Sequence, residues 1–133
     1  MPPESRLPTS TVLIVEDNEP SRDALARRLV RRGCTTLLAV DGLQGVSLAR
    51  SAQPDLILMD LGLPGIDGWE ATKRLKDNLD TRHIPIIVLS AHAMTNDREI
   101  ALAAGADEFD TKPVQFERLI QKMEALLAQC AQR

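Results

Sequence analysis

The sequence predicts an α/β domain in which a five-stranded parallel sheet carries helices on both faces. Short apolar runs rich in β-branched residues alternate with segments of helical periodicity five times along the chain. The fourth run, residues 86–89, is continuously apolar, as expected for a strand that is covered on both sides. The length of 133 residues is that of one domain, and 44% apolar residues supply a core.

The individual elements follow from these two periodicities. Strands are expected at residues 12–15, 37–40, 56–59 and 86–89, with a weaker fifth strand around Phe109. Helices are expected at residues 21–32, 44–52, 69–79 and 94–104, and a last one begins near Phe116. Pro20 suits the first turn of a helix, and Gly33 and Gly105 suit the positions just beyond helix ends.

We divide the chain into a flexible N-terminal arm (residues 1–10), a folded domain (11–129) and a C-terminal tail (130–133). The arm holds three prolines and little apolar surface. Only 133 − 112 = 21 residues follow Lys112, which is room for one helix and a short tail. A second functional domain is therefore not expected.

Composition excludes several function classes. The net charge of −3 gives no reason to expect a nucleic-acid partner, and 2% aromatic residues make base stacking improbable. No apolar run approaches the roughly 20 residues that span a bilayer, and the start lacks the apolar segment of a secretory signal. Cys34 and Cys130 fit no metal-binding spacing and are expected to be free thiols. These features predict a cytoplasmic protein without a membrane partner.

Polar side chains follow the predicted strands where each strand ends. Glu16 and Asp17 follow the first strand, Asp60 the third, Ser90 the fourth and Lys112 the fifth. Because the carboxyl ends of parallel strands meet at one edge of a sheet, we expect these groups to lie together. Clustered carboxylates suit Mg²⁺, while an ammonium group and a hydroxyl suit a phosphoryl group. Any one of these residues alone would be an ordinary strand-end residue.

The sequence lacks the motifs of other nucleotide-binding proteins and of hydrolases that act through a nucleophilic serine. It contains no P-loop, no glycine-rich dinucleotide fingerprint after the first strand and no nucleophile elbow of the hydrolase type. The turn after the first strand is acidic, so it repels phosphate unless a metal ion intervenes.

Four segments resemble the receiver domain of bacterial response regulators, of the single-domain, CheY-like type. They are V-L-I-V-E-D-N-E (12–19), D-L-I-L-M-D-L-G-L-P-G-I-D-G (55–68), I-P-I-I-V-L-S-A (84–91) and G-A-D-E-F-D-T-K-P (105–113). The resemblance covers residues 11–128. It implies a flavodoxin-like, doubly wound (βα)5 fold with strand order 2-1-3-4-5, and a cis peptide between Lys112 and Pro113.

The resemblance also implies the chemistry of the site. Asp60 would accept a phosphoryl group from a histidine kinase or a histidine phosphotransfer protein. Mg²⁺ would be held by the carboxylates of Glu16, Asp17 and Asp60 and by the backbone carbonyl of Gly62. Lys112 would contact the phosphoryl oxygens.

A conformational switch is implied as well. Ser90 would move to bind one phosphoryl oxygen, and Phe109 holds the family's aromatic switch position. The last two helices and the fifth strand would then present a changed face to a downstream target protein. Gly62 and His92 occupy two positions that tune the lifetime of the phosphoryl bond. The protein would be a monomer or a weak dimer, and not an enzyme beyond its own phosphorylation and dephosphorylation.

Three alternatives stay open at this point. The first is a Mg²⁺-dependent phosphohydrolase that acts through an aspartyl phosphate, although Gly62 stands where such enzymes carry an acid–base aspartate. The second is a receiver excised from a hybrid histidine kinase, against which Met1 and the polar arm argue. The third concerns the arginine-rich first helix, which is either a solvated face or a docking surface for an acidic partner; DNA binding is the least favoured use.

Overall fold

The structure is a computed structural model that describes residues 7–63, 65–91 and 96–131, with backbone only for 130 and 131. Strands and helices alternate along the chain. The strands are β1 (Thr11–Val15), β2 (Thr35–Ala39), β3 (Leu56–Asp60), β4 (Ile86–Ser90) and β5 (Glu108–Thr111). The helices are α1 (Glu19–Arg31), α2 (Gly42–Ala52), α3 (Gly68–Asp77), α4 (Asp97–Ala103) and α5 (Phe116–Ala131).

The five strands form one parallel sheet in the order β2-β1-β3-β4-β5. This confirms the predicted α/β fold and its strand order. Every residue of β3 and β4 is buried, because these strands are flanked by other strands and covered on both faces. Their carboxyl ends, at Asp60 and Ser90, therefore emerge together at one edge of the sheet.

The core consists of two apolar layers, one on each face of the sheet. On one face, α1 and α5 cover the sheet through side chains such as Leu29, Leu119 and Met123. On the other face, α2, α3 and α4 pack against the sheet, and Leu75 and Ala101 are among their buried side chains. Only Ala101 of α4 is buried, so this helix is held by far less apolar surface than α5.

Several element boundaries differ from the sequence-based expectation. β2 begins at Thr35, because Thr35 and Thr36 pair with Thr11 and Val12 of β1, and it ends before Val40. α2 and α3 begin at Gly42 and Gly68, since the Asp41 and Asp67 side chains accept hydrogen bonds from backbone amides of the first turn. α4 is described from Asp97 onward, and the predicted start at Met94 lies outside the described residues.

The described part of the arm and the tail are both structured. Leu7 is buried at 2% exposure, its carbonyl accepts a hydrogen bond from the Cys34 thiol, and the Thr9 amide donates to the Gly33 carbonyl. Leu7, inside the arm predicted for residues 1–10, is therefore packed against the domain. At the other end, α5 extends to Ala131, so the predicted tail begins within a helix.

Three of the five arginines of α1 and its C-terminal cap make contacts within the domain. Arg22 donates to the Glu16 carbonyl, Arg28 and Arg32 lie over the Phe116 ring, and Arg32 also pairs with Glu117. The contacts with Phe116 and Glu117 tie the end of α1 to the start of α5. Arg27 and Arg31, the other two arginines, are exposed.

Among the described residues, none of the helices combines the length and the apolar character that crossing a bilayer requires.

Candidate functional site

The residues predicted from the strand ends meet at the carboxyl edge of the sheet. Glu16 and Asp17 follow β1, and Asp60 is the last residue of β3. One carboxylate oxygen from each of these three residues lies within 4.8 Å of the other two. Glu16 and Asp60 are buried, whereas Asp17 is exposed at the mouth of the cluster.

Lys112 reaches into this cluster from the end of β5. Its Nζ lies 2.7 Å from Glu16 Oε1 and 2.7 Å from Asp60 Oδ1. The Lys112 amide donates to the Ser90 carbonyl at 2.8 Å, and the Lys112–Pro113 peptide is cis, as expected. The ammonium group thus bridges two carboxylates that would otherwise repel each other.

Close backbone packing fixes the end of β3. A Cβ atom on Gly68, the first residue of α3, would lie 2.4 Å from the Asp60 carbonyl oxygen. The amide of Leu61 donates to the Leu89 carbonyl, which ties the chain after Asp60 to β4. Glycine at position 68 therefore lets α3 begin directly against the end of β3.

The pKa values of Glu16 and Lys112 follow from this crowding. Burial is the main cause that raises the pKa of Glu16 to about 7, and the neighbouring Asp60 carboxylate adds to it by hydrogen bonding and charge. Lys112 opposes this shift of Glu16 but does not cancel it. Burial alone would lower the pKa of Lys112, but hydrogen bonds and charges from Asp60 and Glu16 outweigh it and raise that pKa.

The cluster fits a hard divalent cation. Within the described part of the chain, Glu16 Oε2 is buried and has no hydrogen-bond partner. A buried carboxylate oxygen without a partner is costly, and a cation would remove that cost. Three carboxylate oxygens with one side open to solvent suit Mg²⁺, which keeps several waters and uses few protein ligands.

Magnesium affinity should weaken as the pH falls below neutral. Because the pKa of Glu16 lies near 7, a falling pH protonates this carboxylate, and a bound cation must then displace the proton. We expect the dissociation constant to rise by up to about tenfold between about pH 8 and about pH 6. Titration of Mg²⁺ followed by Trp69 fluorescence measures this change.

The variant Glu16→Gln is the control for that titration, because it keeps an oxygen ligand without a titrating group. Its dissociation constant should be flat over the same range. A wild-type curve as flat as that of the variant would show that Glu16 does not control the site.

Ser90 and Phe109 lie on the neighbouring strands β4 and β5. Ser90 ends β4, is 1% exposed, and its Oγ donates to Asp97 Oδ2 at 2.8 Å. Phe109 is buried on β5 in the layer that includes Ala101 of α4. The residue Asp97 did not emerge from the sequence, where it is only an acidic residue in the first turn of a helix. His92 lies outside the described residues.

A cavity of about 310 Å³ opens beside Asp60 and Lys112. Its walls are largely apolar and come from α1, from the ends of β1 and β4, and from the segment after Lys112, with Leu25, Leu89 and Val114 among them. Arg28 lines it as well. Residues of α1 and Asp60 thus line the same cavity.

Comparison with known proteins assigns the family. The family model described as "Response regulator receiver domain" matches residues 12–124. The polar-differentiation response regulator DivK of Brucella ovis is 40% identical over 119 residues, which cover 90% of this chain and 97% of the relative.

Solved structures agree with this assignment. The receiver domain of sensor histidine kinase PA1611 from Pseudomonas aeruginosa, which has a magnesium ion in its active-site cleft, superposes with a TM-score of 0.84 at 33% identity. That match covers 90% of this chain and 98% of the other. The receiver domain of a histidine kinase from Syntrophus aciditrophicus gives a TM-score of 0.84 at 32% identity, covering 91% and 92%. The chain belongs to the response regulator receiver domain family of two-component signalling.

Proposed function

We propose that this receiver accepts a phosphoryl group on Asp60 from a histidine kinase or a histidine phosphotransfer protein in the cytoplasm. One observation carries the proposal: the Asp60 carboxylate belongs to a cluster of three metal-type ligands and lies 2.7 Å from the Lys112 ammonium group. A nucleophile and the charges that would stabilise its product thus occupy one place.

The chain's own residues would act mainly by position and charge. An Asp60 oxygen attacks phosphorus, the bond from phosphorus to the donor nitrogen breaks, and the donor imidazole leaves with the electron pair. Lys112, already within hydrogen-bond distance of Asp60, neutralises charge on the transferred group. Mg²⁺, held by Glu16, Asp17, Asp60 and the Gly62 carbonyl, would supply further positive charge to the phosphoryl oxygens.

The same carboxylate cluster would also serve a phosphohydrolase, so the two functions need separating. A receiver takes up one phosphate from acetyl phosphate and turns over slowly, whereas an enzyme hydrolyses p-nitrophenyl phosphate steadily. Gly62 offers no side chain for acid–base catalysis two residues after Asp60. We therefore expect a mass gain of one phosphate and no sustained release of p-nitrophenol; sustained release would favour the enzyme.

Phosphorylation should alter α4, β5 and the start of α5, the proposed face for the downstream target. Ser90 and Phe109 lie next to α4, which buries only Ala101 and is cheap to displace. A phosphoryl group adds about −1.5 to −2 charge, enough to shift a loosely held element. Hydrogen exchange with and without beryllofluoride and Mg²⁺ should show its largest change within residues 96–118. A change restricted to α1 would contradict this assignment.

The lifetime of the phosphoryl group should depend on the space at Gly62. Among the described residues a Cβ atom there would meet only Asp60 Oδ2, at an ordinary 3.8 Å, and Gly62 is exposed, so there is room for a larger side chain. Such a side chain would obstruct the in-line approach of water. We expect Gly62→Met to slow dephosphorylation by roughly tenfold, measured as the decay of phosphorylated protein after donor removal.

The control for this prediction is Lys73→Met, which places the same side chain at an exposed position of α3. It should leave the decay close to the wild-type rate. Equal decay of Gly62→Met and wild type would mean that water access at this point does not limit hydrolysis. His92 is proposed as a second tuning residue, through its imidazole.

A further inference from the structure

The switch residue Ser90 is bound to a specific carboxylate. Its Oγ donates to Asp97 Oδ2 at 2.8 Å, and this bond joins the last residue of β4 to the first residue of α4. Ser90 is 1% exposed and Asp97 is half-buried, so solvent competes little for the bond. The acceptor is a carboxylate, which makes this hydrogen bond stronger than one between neutral groups.

A serine hydroxyl has one proton to donate. In the structure that proton is directed to Asp97. A phosphoryl oxygen on Asp60 is a second anionic acceptor, and it can bind the Ser90 hydroxyl as donor only after the bond to Asp97 breaks. The two interactions therefore exclude each other, whatever other contacts Ser90 keeps.

We propose that Asp97 is a positioning residue that holds the Ser90 hydroxyl toward α4 until a phosphoryl group on Asp60 competes for it. The proposal rests on the proposed function of Asp60. It gives Asp97 two effects: the bond stabilises the unphosphorylated state, and its loss frees the first residue of α4.

The second effect follows from how α4 is held. Ala101 supplies the only buried side chain of this seven-residue helix, and Asn96 makes no capping bond through its side chain among the described residues. Among the contacts of the described residues, the bond from Ser90 to Asp97 is thus a principal tie at the start of α4. Breaking it would pass a change at the phosphorylation site directly to the proposed output face.

Binding of beryllofluoride with Mg²⁺, followed by fluorine NMR, tests the proposal. In Asp97→Ala the competing acceptor is gone, so we expect beryllofluoride to bind about three- to tenfold more tightly than to wild type. Glu99→Ala is the matched control, because Glu99 is an exposed acid in the same turn of α4. It should bind beryllofluoride like wild type.

A second pair of variants separates positioning from a general effect on α4. In Ser90→Ala there is no hydroxyl to hold, so adding Asp97→Ala should leave the affinity unchanged. The affinity of the double variant is compared with that of Ser90→Ala. If it is higher by the same factor as that of Asp97→Ala over wild type, Asp97 acts through helix stability and the proposal is wrong. Unchanged or weaker binding in Asp97→Ala also overturns it while the role of Asp60 stands. Failure of wild type to bind beryllofluoride would overturn both.

Discussion

Asp60→Asn should lose all phosphorylation at position 60. The amide that replaces the carboxylate is a poor nucleophile, and it cannot form an acyl phosphate by the same displacement. The substitution keeps the size of a buried side chain, and Lys112 keeps its partner Glu16 at 2.7 Å. The variant should therefore fold, so that loss of phosphate uptake reports on chemistry and not on unfolding.

The same substitution should change the titration of Glu16. The Asp60 carboxylate is one of the causes that raise the pKa of Glu16 to about 7. Removing that charge lowers the pKa toward its ordinary value, although burial keeps part of the shift. A pH titration of Glu16 by NMR thus gives a second readout of the pairing.

Lys112→Ala should slow phosphoryl transfer by about 10²- to 10³-fold, the effect of removing one preorganised donor from a developing charge. The lysine is three-quarters buried, and its Nζ contacts both Asp60 and Glu16. Its loss leaves two carboxylates without their shared countercharge. The measurement is the rate of phosphate uptake from acetyl phosphate at saturating Mg²⁺.

Magnesium binding should respond to Lys112→Ala in the opposite direction. Without the ammonium group the cluster is more negative, so Mg²⁺ should bind at least as tightly as in wild type. Lys73→Ala, at an exposed lysine of α3, is the control and should alter neither quantity. Parallel loss of transfer and of Mg²⁺ affinity in Lys112→Ala would indicate a collapsed site and argue against a direct role.

The sequence predicted the fold and the site best at the buried parallel strands, whose ends all lie at one edge of the sheet. β3 and β4 are apolar throughout and end in Asp60 and Ser90, so both the strands and the edge to which they deliver polar groups were predictable. The predicted start of β2 was two residues too late, because this strand lies at the edge of the sheet. Its first residues, Thr35 and Thr36, are not fully covered and give no apolar run.

What the sequence did not reveal depends on contacts between distant elements. Asp97 does not stand directly at the end of a strand, so its bond to Ser90 is visible only once α4 is placed beside β4. Leu7 is one apolar residue in a proline-rich segment, and only the fold shows it buried next to Cys34. The differences at the helix starts have a local cause instead: the caps Asp41 and Asp67 place the starts of α2 and α3 two residues and one residue earlier than predicted.

The most direct test of the account is the site of phosphate uptake. Wild type, Asp60→Asn and the control Asp77→Asn, an exposed acid at the end of α3, are treated with acetyl phosphate and Mg²⁺ and analysed by intact-protein mass spectrometry. We predict a gain of one phosphate, about 80 Da, in wild type and in Asp77→Asn and no gain in Asp60→Asn. A gain in Asp60→Asn equal to that of wild type would contradict the assignment of Asp60 as the phosphoacceptor.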